Sequence, residues 1–130
     1  GVPHAVVAAE RIDDLDLPML GRAIRFHPMF APEGTNVDFI CPDPAAGGIA
    51  IRTYERGVEG ETLSCGTGAA AGALVAAERF GLAAPIGVRT ASGETLTVYF
   101  QRRADGFQEV FLEGEARFIY SGRLHPEAWR

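Results

Sequence analysis

Cys65 stands in the segment Glu61-Thr62-Leu63-Ser64-Cys65-Gly66-Thr67-Gly68, which leads into Ala69-Ala70-Ala71-Gly72-Ala73-Leu74-Val75-Ala76-Ala77. A bare, glycine-flanked turn thus presents one thiol at the start of an apolar helix. Helix starts carry unpaired backbone N–H groups and a partial positive charge, so they attract anions. A cysteine placed there tends towards a depressed pKa and a reactive thiolate. The same N–H groups can receive a substrate carboxylate. The chemistry this arrangement fits is nucleophilic or acid/base work by a thiol beside an anion cradle. The competing reading is a buried cysteine that packs as a small hydrophobe.

A second group of residues precedes the thiol. Ile51-Arg52-Thr53-Tyr54-Glu55-Arg56-Gly57 ends a strand with a carboxylate and a guanidinium side by side. Arg56 can hold a carboxylate bidentately and Glu55 can grip an ammonium group, which together suit the zwitterionic head of an amino acid. A surface ion pair at a strand end is the plainer alternative. His4 lies at a strand start, where it can accept or tune a thiol proton, although a histidine in an apolar run is more often a satisfied core residue. Asn36 offers both donor and acceptor at another strand start; read alone, it is a turn residue. His27 and His125 read as structural, and nothing in the sequence supports Cys41, beside Pro42, as a catalyst. The histidines and cysteines fall at spacings unlike zinc pairs, there is no G-x-G-x-x-G, and without lysine there is no phosphate loop. Neither a metal nor a cofactor is expected.

The elements that must position these residues follow from periodicity and breakers. Pro3 to Ala9 reads as a buried strand. Asp16 and Pro18 open a helix that runs to about Phe26 and stops before Pro28. Phe30 to Gly34 is a loop. Asn36 to Cys41 is a strand with Val37 and Phe39 on one face and Asp38 and Ile40 on the other. Ile49 to Glu55 alternates Ile49, Ile51 and Thr53 against Ala50, Arg52 and Tyr54, and Gly57 to Glu61 is a loop. The helix from about Thr67 ends near Phe80, capped by Gly81, and is apolar nearly all round. Four strands follow, at Ile86–Ala91, Thr95–Arg102, Phe107–Leu112 and Ala116–Arg123, with turns at Ser92-Gly93, Ala104-Asp105-Gly106 and Glu113-Gly114-Glu115. His125 to Arg130 reads as a terminal helical turn. The pattern predicts an α+β domain in which a mostly antiparallel, curved sheet wraps a central apolar helix.

The bulk properties agree with one domain. The chain has 130 residues, of which 47% are hydrophobic and 22% charged, and a net charge of −5. That acidic balance argues against a nucleic-acid partner. Two cysteines make no disulfide framework, so a reducing, cytoplasmic setting is expected. No apolar run reaches the roughly eighteen residues of a membrane span, and no secretion signal is visible. The opening Gly1-Val2-Pro3-His4-Ala5-Val6-Val7 enters a strand without a methionine and reads as a cut at a domain boundary.

Taken together, four segments resemble the C-terminal half of diaminopimelate epimerase. They are Gly1-Val2-Pro3-His4-Ala5-Val6, Gly34-Thr35-Asn36-Val37-Asp38-Phe39, Arg52-Thr53-Tyr54-Glu55-Arg56-Gly57 and Thr62-Leu63-Ser64-Cys65-Gly66-Thr67-Gly68-Ala69, in the family's order. The turn Leu112-Glu113-Gly114-Glu115-Ala116 fits as well. The resemblance implies a cofactor-free isomerase that interconverts LL- and meso-diaminopimelate on the route to lysine and peptidoglycan. It implies two pseudo-symmetric domains with the active site between them, so that residues 1–130 are one half and the N-terminal half is the partner. One cysteine as thiolate removes the α-proton, and another as thiol returns a proton from the opposite face. Cys65 corresponds to the cysteine of the C-terminal half. Asn36 and Arg56 match positions that bind the distal end of the substrate, Glu55 one near the reacting amino group, and Gly66 and Thr67 the backbone that receives the α-carboxylate. His4 matches a residue that assists thiol deprotonation together with Glu55.

Two departures stand out. Val2 occupies a place where many members carry an asparagine, and the family's Cys-Gly-Asn-Gly segment with the other cysteine is missing. The weaker alternatives are another isomerase of this fold, either proline-racemase-like, disfavoured by the Glu55-Arg56 pair, or phenazine-isomerase-like, disfavoured by Cys65 in its glycine frame, and a non-catalytic amino-acid-binding domain. A half that normally faces a sister domain exposes apolar surface, and a homodimer is an expected consequence.

Overall fold

The alternating strands of the sequence must bury both of their faces, and two helices cover them. The computed structural model describes residues 2–129. Gly1 of the first matching segment and Arg130 of the terminal turn lie outside the described residues. The elements are β1 (His4–Ala8), α1 (Leu17–Arg25), β2 (Asn36–Asp43), β3 (Gly48–Glu55), β4 (Gly60–Thr62), α2 (Gly66–Phe80), β5 (Ile86–Arg89), β6 (Thr95–Arg103) and β7 (Gly106–Glu113). Short 3-10 turns lie at Pro28–Phe30, Pro44–Ala46 and Pro126–Trp129.

The strands form one sheet in the order β1-β2-β3-β5-β6-β7, with β4 paired to β3 off this path. The sheet is mixed. β1 runs parallel to β2 and β3 parallel to β5, whereas the other neighbours are antiparallel. Each parallel pair is joined by a connection that contains a helix, α1 in the first and α2 in the second, as a parallel crossover requires. Helix α2 touches both β1 and β7, the two ends of the sheet path. Six strands laid flat span about 24 Å at their usual spacing, more than twice the diameter of a helix, so the sheet is curled.

Local sequence accounts for both helices. Asp16 caps α1 by accepting from the Met19 N–H at 3.1 Å, with Pro18 in the first turn and Arg22 and Arg25 in the last. Helix α2 ends at Gly81, whose φ of 69° is the left-handed conformation of a glycine cap. Its buried Ala69, Ala73, Ala76 and Ala77 pack on Ile40, Ile49, Ile51, Ile86, Val88 and Val98. The opposite face of the sheet buries Val37, Phe39, Ala50 and Tyr54 with Ile12 and Leu17. The facing expected for β2 and β3 is therefore the one observed.

Three expectations are corrected. The loop expected over Gly57 to Glu61 contains β4, which pairs Thr62 with Thr53 and Gly60 with Glu55. β2 continues through Pro42 to Asp43, because Pro42 lies late in the strand, where its partner is Ile49. The strand expected over Ala116–Arg123 does not form, and the chain leaves Glu113-Gly114-Glu115 without turning back onto β7. Phe118, Ile119 and Tyr120 are almost fully exposed. Their strand-forming side chains need a pleated, half-buried surface to pack on, and no such surface faces them among the described residues.

Candidate active site

Side-chain alternation divides the α2-facing side of the sheet into an apolar end and a polar end. Val6 and Ala8 of β1, Ile40 of β2, and Ile49 and Ile51 of β3 are apolar and lie beneath the body of α2. Towards the start of β1 and β2 and the end of β3, the same face carries His4, Asn36, Asp38, Thr53 and Glu55. Strand register brings these together: His4 is level with Asn36, and Asp38 with Thr53. The first turn of α2 descends onto this polar end. A Cβ added at Gly68 would lie 2.5 Å from Asp38 Oδ1, so only glycine lets the helix start so close to the carboxylate.

Cys65 is the residue before the first turn of α2, in extended backbone (φ −134°, ψ 110°), and its side chain makes no capping bond. The first helical bond runs from the Ala69 N–H to the Cys65 carbonyl at 2.8 Å, leaving the N–H groups of Gly66, Thr67 and Gly68 ahead of the ladder. Cys65 Sγ lies 3.5 Å from Thr67 Oγ1. Thr67 Oγ1 in turn lies 3.0 Å from His4 Nε2, and His4 Nδ1 lies 2.7 Å from Asp38 Oδ2. Cys65 and Gly66 are half-buried, Thr67 is exposed and Gly68 is buried against Asp38, with Ser64 and Leu63 exposed beside the thiol.

The other expected residues occupy the rim. The Arg56 N–H donates to Asn36 Oδ1 at 2.7 Å, which fixes the amide with Nδ2 towards His4 Nε2 at 3.5 Å. The Arg56 guanidinium donates to the Glu33 carbonyl at 3.4 Å and approaches the Glu33 carboxylate at 3.9 Å. Glu55 is half-buried and has no side-chain hydrogen bond or ion pair among the described residues. Glu55 and Arg56 are thus adjacent in sequence without neutralising each other, unlike a surface ion pair. Cys41 is the second free thiol and stands apart from this group. Burial, followed by the Asp13 carboxylate, pushes its thiol up from its ordinary value, so it is held protonated.

Residues 1–119 match the sequence model of the family described as diaminopimelate epimerase. The chain belongs to the diaminopimelate epimerase family. It is 49% identical over 129 residues to diaminopimelate epimerase of Aquifex aeolicus, a match that covers 98% of this chain and 44% of that protein. The diaminopimelate epimerase of Hydrogenobaculum sp. is 45% identical over 98% of this chain and 45% of its own length. That of Chlorobaculum tepidum is 43% identical over 95% of this chain and 47% of its own. The chain therefore spans about half the length of these relatives. Among solved structures, a phenazine biosynthesis protein of the PhzF family from Bacillus anthracis superposes with a TM-score of 0.59. At 20% identity, over 86% of this chain and 34% of that one, this likeness concerns the fold.

One residue of this polar cluster escaped the sequence reading of function. Asp38 was visible as a carboxylate on the Ile40 face of β2, and that placement is the signal: a charged residue aimed at an apolar helix must have partners there. Its partner Thr53 carried the same signal on the Ile49 face of β3.

Proposed function

We propose that this chain is the C-terminal half of a cofactor-independent diaminopimelate epimerase, supplying one of two cysteines to a site shared with an N-terminal half. In this reading the curled sheet with α2 as its central helix is one of two like halves, and diaminopimelate lies between them. Cys65 exchanges a proton at the α-carbon. The N–H groups of Gly66 and Thr67 receive the α-carboxylate, Glu55 meets the ammonium group, and Asn36 and Arg56 bind the distal end. His4 and Glu55 assist thiol deprotonation.

The observation that carries this reading is the convergence of Cys65, Thr67 and His4 at the open start of α2, within 3.5 Å of one another in series. Removing an α-proton builds carbanion character beside a carboxylate. Donors fixed in place before reaction stabilise that charge without reorganising, and a helix start is such a set of donors. With no electron-sink cofactor in this mechanism, that preorganisation supplies more of the barrier lowering. An acid and a base on opposite faces exchange protonation states between the two directions, so their titrations are coupled. The exposure of Leu63, Ser64 and Thr67 around Cys65 supports a site that a second body completes.

The test is α-proton exchange of diaminopimelate in D₂O followed by NMR, with this chain alone and with the N-terminal half. Exchange is expected in the assembled mixture and lost, by about 10³-fold or more, in Cys65→Ala, because a positioned acid/base group contributes about 10²–10⁴-fold. A mixture that assembles and binds diaminopimelate without exchanging its α-proton refutes the epimerase reading and favours an amino-acid-binding domain.

A further inference from the structure

Asp38 is completely buried, and among the described residues no arginine pairs with it. An ionised carboxylate in such a place is costly unless hydrogen bonds replace its water. Both of its oxygens are engaged. Thr53 Oγ1 donates to Oδ1 at 2.7 Å, and His4 Nδ1 lies 2.7 Å from Oδ2. As the Thr53 hydroxyl and the His4 ring meet a carboxylate, Nδ1 is the donor. The far nitrogen of His4 gives the same answer independently. The Asn36 amide is oriented by the Arg56 N–H, so its Nδ2, which can only donate, faces His4 Nε2. His4 Nε2 is therefore an acceptor, and Thr67 Oγ1, 3.0 Å away, donates to it. The Thr67 oxygen then remains free to accept from the Cys65 thiol at 3.5 Å, an ordinary length for a bond involving sulfur.

We infer that Asp38 is a positioning residue that locks the His4 tautomer, and that the Thr67 hydroxyl relays a proton from the Cys65 thiol to His4 Nε2. In this step the S–H bond breaks and its proton passes to Thr67 Oγ1. The original hydroxyl proton passes from Thr67 to Nε2. The products are a thiolate, an unchanged threonine whose O–H now donates to sulfur, and an imidazolium whose Nδ1–H remains on Asp38. The titratable groups facing the relay are His4 from β1, Asp38 from β2 and Glu55 from the end of β3; the first turn of α2 carries no acidic residue. The inference rests on Cys65 being the acid/base thiol proposed above, and it adds to that reading which atoms move the proton.

The test is alkylation of Cys65 by iodoacetamide as a function of pH, in this chain carrying Cys41→Ser so that Cys65 is the only thiol. Asp38→Asn places an amide donor against Nδ1 and turns the histidine to the tautomer whose Nε2 donates. Thr67→Val removes the hydroxyl at nearly constant shape. Each is expected to lower the alkylation rate at pH 7 about tenfold, because the thiolate is the form that reacts. Thr67→Ser is expected to restore the profile, which loss of packing alone would not do. If Asp38→Asn fails to fold, Thr67→Val and Thr67→Ser still decide. Unchanged pH profiles in folded Thr67→Val overturn the relay, whatever diaminopimelate exchange shows. A shifted profile in an assembled enzyme that exchanges no α-proton sustains the relay and refutes the epimerase reading instead.

Discussion

Thr62 Oγ1 is buried and has no hydrogen-bond partner among the described residues. It lies on β4, three residues before Cys65, opposite Thr53 of the polar cluster. An unmade hydrogen bond of this kind costs about 1–3 kcal/mol, whereas an apolar group of the same shape avoids the penalty. Thr62→Val is therefore expected to stabilise the domain by about 1 kcal/mol, read as a higher midpoint in urea at an unchanged slope. A destabilised variant would mean that the hydroxyl has a partner in solution, such as water, and that the polar cluster extends to β4. The same scale explains the unequal standing of the two thiols. Cys41 is kept protonated by burial and by Asp13, whereas Cys65 opens a helix beside a hydroxyl and an imidazole.

At the scale of elements, close approach is set by glycines whose neighbours are not interchangeable. A Cβ at Gly87 would fall 1.7 Å from the Ala46 carbonyl oxygen, a backbone atom with nowhere to go. A Cβ at Gly68 would meet Asp38 Oδ1 at 2.5 Å, a side-chain atom that can shift only by releasing Thr53 or His4. Both alanine substitutions are expected to destabilise by about 1–3 kcal/mol, with Gly87→Ala at the upper end or beyond. Their consequences differ in kind: Gly68→Ala also slows Cys65 alkylation in the folded chain, and Gly87→Ala does not. Equal alkylation in both folded variants would separate Asp38 from the thiol. Much of this arrangement was legible in the sequence. The Asp16 and Gly81 caps bounded both helices, and the alternation of Val37, Phe39 and Ile40 assigned each to its face. What pattern alone could not supply was pairing. Parallel neighbours depend on where a crossover returns, and β4 is too short to carry an alternation of its own. The Cys65 turn and His4 were recognisable as candidates, whereas Asp38 gained its meaning only once register set it beside Thr53 and beneath Gly68.

For the whole molecule, the exposed run through Phe118, Ile119 and Tyr120 is the feature that a lone domain explains least. Val110, Phe111 and Leu112 of β7 and Leu63 beside the thiol are exposed too. In the proposed reading, this apolar surface is where the N-terminal half packs. In the proposed two-half enzyme, Phe118→Ser combined with Ile119→Ser should weaken co-assembly with the N-terminal half by more than about tenfold, or 1.4 kcal/mol. Thermal unfolding of this chain alone should be unchanged, since these side chains bury nothing here. Retained co-assembly, measured by sedimentation of the mixture, would place the junction elsewhere. A last consequence follows from the reach of His4, which touches Asp38 and Thr67 across 34 and 63 positions of the chain. Contacts of that span form only after long loops have closed. In the proposed relay, a chain emerging from the ribosome therefore carries Cys65 without its hydroxyl and imidazole partners, and the sulfur meets them only when the domain has finished folding.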